Sequence, residues 1–367
     1  MPVLGTYDQI SIDSLLGELI AAHGSDLHLS VGARPLIRVY GALRELEGSP
    51  ELDPETIRDG VYAILTQAQR ERFEESWELD LAYSLRGLGR FRLNLFRQRS
   101  SIGAVFRVIP HQIPPLDTLE LPPVVKTFAE IPKGLVLVTG PTGSGKSTTL
   151  AAIIDLINRT QRRHIVTIED PIEFLHSHRS SIVNQREVGT DTKAFATALR
   201  QVLRQDPDVI MVGEMRDFET IAAAITAAET GHLVFATLHT QDAPQAIDRM
   251  IDVFPSSQQA QIRVQLAASL QAILTQQLIA RCDQPGRAVA VEVLVATSAV
   301  RNVIREAKSH QLYSIMQSSA QMGMQTMDSA LLRLVKLGHI TRESALLATT
   351  NQRELYEAMG GLSARNL

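Results

Sequence analysis

GLVLVTGPTGSGKST (134–148) is the stretch on which the reading of this chain turns. An apolar run, Gly134 to Thr139, leads into a glycine-rich loop and then into a segment of helical character that begins near Lys146. Gly140 to Ser147 match G-x-x-x-x-G-K-[ST] at every fixed position, with strand and helix in the order the motif needs. Glycines let the backbone wrap an anion so that N–H groups point inward. The helix N-terminus adds positive potential. Lys146 brings a point charge to the β- and γ-phosphates, and Ser147 offers its hydroxyl to Mg2+. The nucleotide-binding set is therefore Gly140, Pro141, Thr142, Gly143, Ser144, Gly145, Lys146, Ser147 and Thr148. Nothing in the loop reads the base.

Outward from the loop, HIVTIED (164–170), DVIMVGE (208–214) and HLVFATLH (232–239) are short and nearly continuous in apolar residues. Apolar side chains at successive positions require cover on both faces, as in a parallel sheet. Between these runs lie helical patterns, such as Phe195, Leu199, Val202 and Leu203. Another is Ile221, Ala224, Ile225 and Ala228, opened by Asp217 and closed by Gly231. The alternation predicts an α/β, doubly wound core. In such sheets ligands collect beyond the carboxyl ends of the strands. Glu214 stands there, suited to orient Mg2+ through water or to place an attacking water. Glu173, projected past the turn that Pro171 forces, is the candidate for polarising that water. His239 ends its strand and is placed to sense a γ-phosphate, whereas His232 sits at the strand's start. Any one of these carboxylates also fits a helix cap or a surface charge, and either histidine a satisfied imidazole. Their gathering behind one phosphate loop favours chemistry.

The chain has 367 residues, 44% of them apolar, enough for two or three domains with packed cores. Thirty-six basic residues against 40 acidic leave a net charge of −4, which argues against nucleic-acid binding. Cys282 is the single cysteine, so an internal disulfide and a cysteine zinc site are both excluded. The N-terminus lacks a signal-peptide pattern, and no apolar stretch is long enough to span a bilayer. The expectation is a cytoplasmic protein that meets membranes only through partners. Residues 1–110 read as a small α+β domain. Ile12, Leu15, Leu16, Leu19 and Ile20 recur at helical spacing, and Asp26–Val31, Arg34–Leu43, Leu79–Leu85 and Arg90–Phe96 alternate as antiparallel strands. Pro110, Pro114, Pro115, Pro122 and Pro123 mark a stiff linker over 111–123. The core follows over 124–297, and a helical region runs over 298–367.

Arg97 and Arg99 continue the face that Phe91, Leu93 and Leu95 would bury, which is unfavourable unless the charges are paired or aimed at an anion. Either the strand ends at Phe96 or these arginines reach a phosphate. Arg97 or Arg107 is thus a candidate to serve a nucleotide bound by a neighbouring subunit. Arg200 and Arg204 compete for that role, and a solvated basic face is the plain alternative.

Taken together, the Walker A loop, TIEDPIEF (167–174), VIMVGEMRD (209–217), TGHLVFATLHT (230–240) and GSDLHLSVGARPLIRV (24–39) resemble the secretion ATPase superfamily. The closest likeness is to its type IV pilus retraction branch, and it spans nearly the whole chain. It implies a RecA-like P-loop ATPase core with C-terminal helices, preceded by a PAS-like N-terminal domain. It also implies ATP and Mg2+ as ligands and a homo-hexameric ring with nucleotide held between the two domains. The same likeness assigns Lys146 to phosphate, Glu173 and Glu214 to catalysis and His239 to sensing. Partners implied are the inner-membrane platform protein of the pilus machine and a PilU-like paralogue. AVRNVIRE (299–306) is similar to the retraction branch's AIRNLIRE, so Arg301→Ala with Glu306→Ala is expected to stop retraction and spare hydrolysis. The branch that assembles pili or drives type II secretion usually carries a four-cysteine insertion, which one cysteine cannot supply. The remaining alternatives are that assembly role, a nucleotide-gated regulatory subunit and a nucleic-acid translocase.

Overall fold

The computed structural model describes residues 11–39, 42–109 and 112–360. The chain divides into two units. One holds the described residues up to Gln112 together with Pro171–Leu175; the other holds Ile113–Asp170 and the remainder from His176.

In the first unit, helix α1 (Ile12–Ala21) buries Ile12, Leu15, Leu16 and Leu19, the stripe its spacing predicts. Strands β1 (Asp26–Leu29), β2 (Leu36–Val39) and β3 (Ala42–Glu45) follow. The turn signal at Gly41 lies outside the described residues. Helices α2 (Pro54–Ile64) and α3 (Gln67–Ser76) come next, the first capped by Asp53 and the second by a Thr66–Gln69 capping box. Strands β4 (Glu78–Leu85), β5 (Gly89–Gln98) and β6 (Ser101–Ile109) complete an antiparallel sheet of order β3-β2-β1-β6-β5-β4. Phe91, Leu93 and Leu95 are fully buried on one face of β5, and the helices cover it with Leu16, Leu19, Val61 and Phe73.

The second unit starts inside the proline-dense stretch. From Ile113 onward that stretch is packed rather than a free tether. Leu116, Val125 of the short helix α4 (Val124–Thr127) and Phe128 are buried in the unit's core. Then come β7 (Gly134–Thr139), α5 (Lys146–Thr160), β8 (His164–Glu169), β9 (Ile182–Glu187), α6 (Phe195–Val202), β10 (Val209–Val212), α7 (Phe218–Glu229), β11 (Leu233–Leu238), α8 (Ala243–Asp252) and α9 (Ser256–Ser269). A long hairpin, β12 (Leu270–Ala280) and β13 (Arg287–Val295), precedes α10 (Ser298–Arg305), α11 (Leu312–Ser318), α12 (Met327–Lys336), α13 (Arg342–Ala348) and α14 (Gln352–Ala358).

The sheet runs β13-β12-β7-β11-β10-β8-β9, parallel except for β13 against β12. Its parity explains the unbroken apolar runs. Leu135 and Leu137 face one core and Val136 and Val138 the other, and in β11 Val234 and Ala236 oppose Leu233 and Phe235. Among the described residues no helix is long and apolar enough to cross a membrane.

Candidate nucleotide and catalytic site

Strand register brings the loop and the acidic groups to one edge of the second unit. Thr139 pairs with Leu238, Val212 with Ala236 and Ile168 with Val212. The chain segments that leave β7, β8, β10 and β11 therefore depart side by side, at the carboxyl edge where ligands collect in such sheets.

The loop is tightly built. Gly140 has φ 135°, and a Cβ there would stand 2.3 Å from the carbonyl oxygen of Gln276, so the neighbouring strand admits only glycine. Gly143 and Gly145 also have positive φ, and Gly145 caps α5 without a side chain, leaving the helix's first amides to the loop's concavity. Lys146 is buried and its Nζ donates to the carbonyl oxygens of Gly140 at 2.7 Å and Pro141 at 2.9 Å. Two neighbouring buried oxygens, Ser144 Oγ and Gln276 Oε1, have no hydrogen-bond partner among the described residues. A cradle with an inward ammonium, uncapped amides and orphaned polar atoms fits a phosphate chain and its metal.

Across the edge, Gly213 donates its amide to the Ile168 carbonyl at 2.7 Å and sets the direction of the chain that carries Glu214. β10 itself stops at Val212, so Glu214 lies just past the strand rather than in it. Glu214 Oε1 accepts from His239 Nε2 at 2.8 Å and from Arg216 Nε at 2.6 Å. A carboxylate only accepts, so the His239 proton sits on Nε2. Among the described residues, Oε2 takes no hydrogen bond. Partial burial works against the charge on Glu214, but Arg216 and His239 outweigh it and hold the carboxyl below its usual range. Glu169, at the end of β8, is buried and accepts from Thr167 Oγ1 at 2.6 Å and Gln185 Nε2 at 3.1 Å, a structural role. His232 Nδ1 lies 2.9 Å from the Ala227 carbonyl and closes the turn after α7.

Glu173 is exposed and belongs to the five residues grouped with the first unit. Arg97 is also in that unit, and one of the alternatives set for it, a strand ending at Phe96, does not hold. β5 continues to Gln98, and the Arg97 guanidinium lies over the Trp77 ring, 5.2 Å from its centroid. An aromatic face takes the charge that the apolar face would not. Arg99 and Ser100, at φ 47° and 63°, make the two-residue hairpin turn into β6 and so leave the strand face altogether. Arg107 is paired with Asp26 at 2.7 Å, and Arg200 with Glu219 at 3.5 Å.

Arg301 makes contacts that the sequence does not show. Its guanidinium donates to the carbonyls of Ala267, Ala268 and Ala296 and to Gln271 Oε1, at 2.6 to 3.2 Å, and so closes the C-terminus of α9. It is a structural tie, and changing it together with exposed Glu306 does not isolate a retraction function. Arg216 had gone unassigned in the sequence. Its signal is an opposite charge two residues beyond Glu214.

Fold and site define a P-loop ATPase with a RecA-like core. Residues 120–347 match the family described as Type II/IV secretion system protein, and the chain belongs to that family. It is 49% identical to the Type IV pilus retractation ATPase PilT of Pseudomonas aeruginosa, over 92% of this chain and 97% of that protein. To the Type IV pilus ATPase PilU of the same organism it is 43% identical, over 94% and 90%. A crystal structure of the pilus retraction motor PilT with bound ADP superposes with a TM-score of 0.89 at 48% identity, covering 95% of this chain and 99% of that one.

Proposed function

We propose that this chain is the ATP-hydrolysing motor subunit that retracts type IV pili, acting as a homo-hexamer. What carries the reading is the Glu214–His239 pair set on the same sheet edge as the phosphate loop, in a chain collinear with a retraction ATPase. The loop amides and Lys146 bind the triphosphate, with Lys146 exchanging the Gly140 and Pro141 carbonyls for phosphate oxygens. Ser147 and, through water, Glu214 would hold Mg2+, which neutralises phosphate charge when bound. Glu214, kept ionised, orients the attacking water with Oε2 while His239 and Arg216 fix Oε1. Glu173 polarises the same water, and an arginine from a neighbouring subunit steadies the developing charge. Arg97 suits that role because an exposed cation–π contact is worth only about 0.5–1 kcal/mol, less than a phosphate offers.

Force arises from differential affinity. Bound ATP favours one arrangement of the ring, and hydrolysis removes the preference. The force is delivered to the inner-membrane platform protein of the pilus machine, from the cytoplasm and without membrane contact of the motor's own. The likeness to PilU supports a second reading, an accessory subunit beside a retraction motor. A null strain separates retraction from assembly. Loss of the motor leaves hyperpiliated cells that do not twitch; bald cells mean an assembly ATPase, and unchanged pilus number with unchanged twitching contradicts both.

A further inference from the structure

Glu292 lies mid-strand in β13, 3% exposed, where a carboxylate is expensive to bury. Its Oε1 accepts the amide of Ala243 at 2.8 Å and its Oε2 the amide of Met327 at 3.3 Å. Each amide belongs to the first residue of a helix. The caps of those helices are engaged two residues further in: Asp242 accepts from Gln245 N in α8, and Thr326 from Ser329 N in α12. One carboxylate thus satisfies an amide that each cap leaves open, at the positive ends of both helices.

Register ties this clasp to the site. Glu292 pairs with Thr275, Thr275 with Thr139, and Thr139 with Leu238, and the two threonine hydroxyls are hydrogen-bonded at 2.9 Å inside the core. Thr139 precedes the phosphate loop and Leu238 precedes His239. From His239 the chain runs through Thr240, Gln241 and Asp242 directly into Ala243, the residue Glu292 holds. Helix α8 is therefore the support on which His239 is set beside Glu214.

We propose that Glu292 is a positioning residue for the His239–Glu214 pair, clamping α8 against α12 so that His239 keeps its place. The inference rests on the catalytic reading of that pair. The charged groups facing Glu292 are Asp242 and Asp328, both acidic, so the two amides are what hold it. Glutamine at this position keeps the shape but can accept only through one oxygen, and its amide nitrogen meets the second N–H donor to donor.

The test is a double-mutant cycle on the full chain, reading steady-state ATP hydrolysis in Mg2+ for wild type, Glu292→Gln, His239→Ala and the double variant. Glu292→Gln lowers kcat about ten-fold with KM nearly unchanged, the effect of a misplaced rather than a missing group. In the His239→Ala background it lowers kcat no further. A lowered kcat in His239→Ala with losses that simply multiply overturns the positioning role alone. Unchanged kcat in His239→Ala removes the reading of the pair, and this inference with it. Glu292→Asp, which keeps the charge and shortens the reach, enters the same cycle if the glutamine variant does not fold, and multiplying losses there overturn the role equally.

Discussion

Glu214 is held from one side only. His239 and Arg216 share Oε1, and among the described residues the second oxygen takes no hydrogen bond. Glu214→Gln therefore retains nucleotide and loses about 10²-fold or more in kcat, the scale of removing one transition-state stabiliser. Nucleotide-binding titration with steady-state kinetics checks both halves. Glu292 makes a different prediction, in pH. Burial, reinforced by Asp242 and Asp328 and opposed by the two amides, pushes it up to about 7. The folded state thus holds a proton that the unfolded chain gives up near the ordinary value of 4.5. The stability Glu292 contributes is fully present below that ordinary value and is lost as pH rises through the folded one. Denaturant unfolding across that window shows wild type losing stability that Glu292→Gln does not lose.

Helix α10 looks like a retraction motif in the sequence and is half a structural one. Arg301→Ala frees carbonyls at the end of α9 and is expected to destabilise the protein by about 2 kcal/mol. Glu306→Ala on the exposed side leaves the melting temperature unchanged, so thermal unfolding of the two variants, followed by twitching assays, separates stability from retraction. No spacing rule identifies an arginine whose partners sit some thirty positions earlier. The same physics decides what else was legible. β7, β10 and β11 announced themselves because both faces are covered, and α7 because Asp217 and Gly231 bracket its stripe. β12 was obscured by Thr275, Gln276 and Gln277, polar residues of which Thr275 bonds Thr139 in β7 and Gln277 the Ala348 carbonyl of α13. α3 buries only Phe73, so it carries no periodic signal. In the site, the loop was readable residue by residue, as its function fixes residue types. The Glu214–His239 contact was not, since it depends on strand order rather than on sequence distance.

At the scale of the whole chain, two sheets with different patterning explain its organisation. An antiparallel sheet with one face under helices reads as alternation, and a parallel sheet covered twice reads as unbroken apolar runs. The division falls at Ile113, and the proline-dense segment after it is anchored by buried Leu116 and Val125. The second unit contains the phosphate loop, Glu214 and His239, and with them the requirement on which the rest depends: this edge binds and cleaves a triphosphate. Phosphate release from ATP by the purified full chain, with and without Mg2+ and beside Lys146→Ala, measures that requirement. Mg2+-dependent release that falls about 10²-fold or more in the lysine variant is the predicted result. No release in any assembly state, or equal release from both proteins, would contradict it.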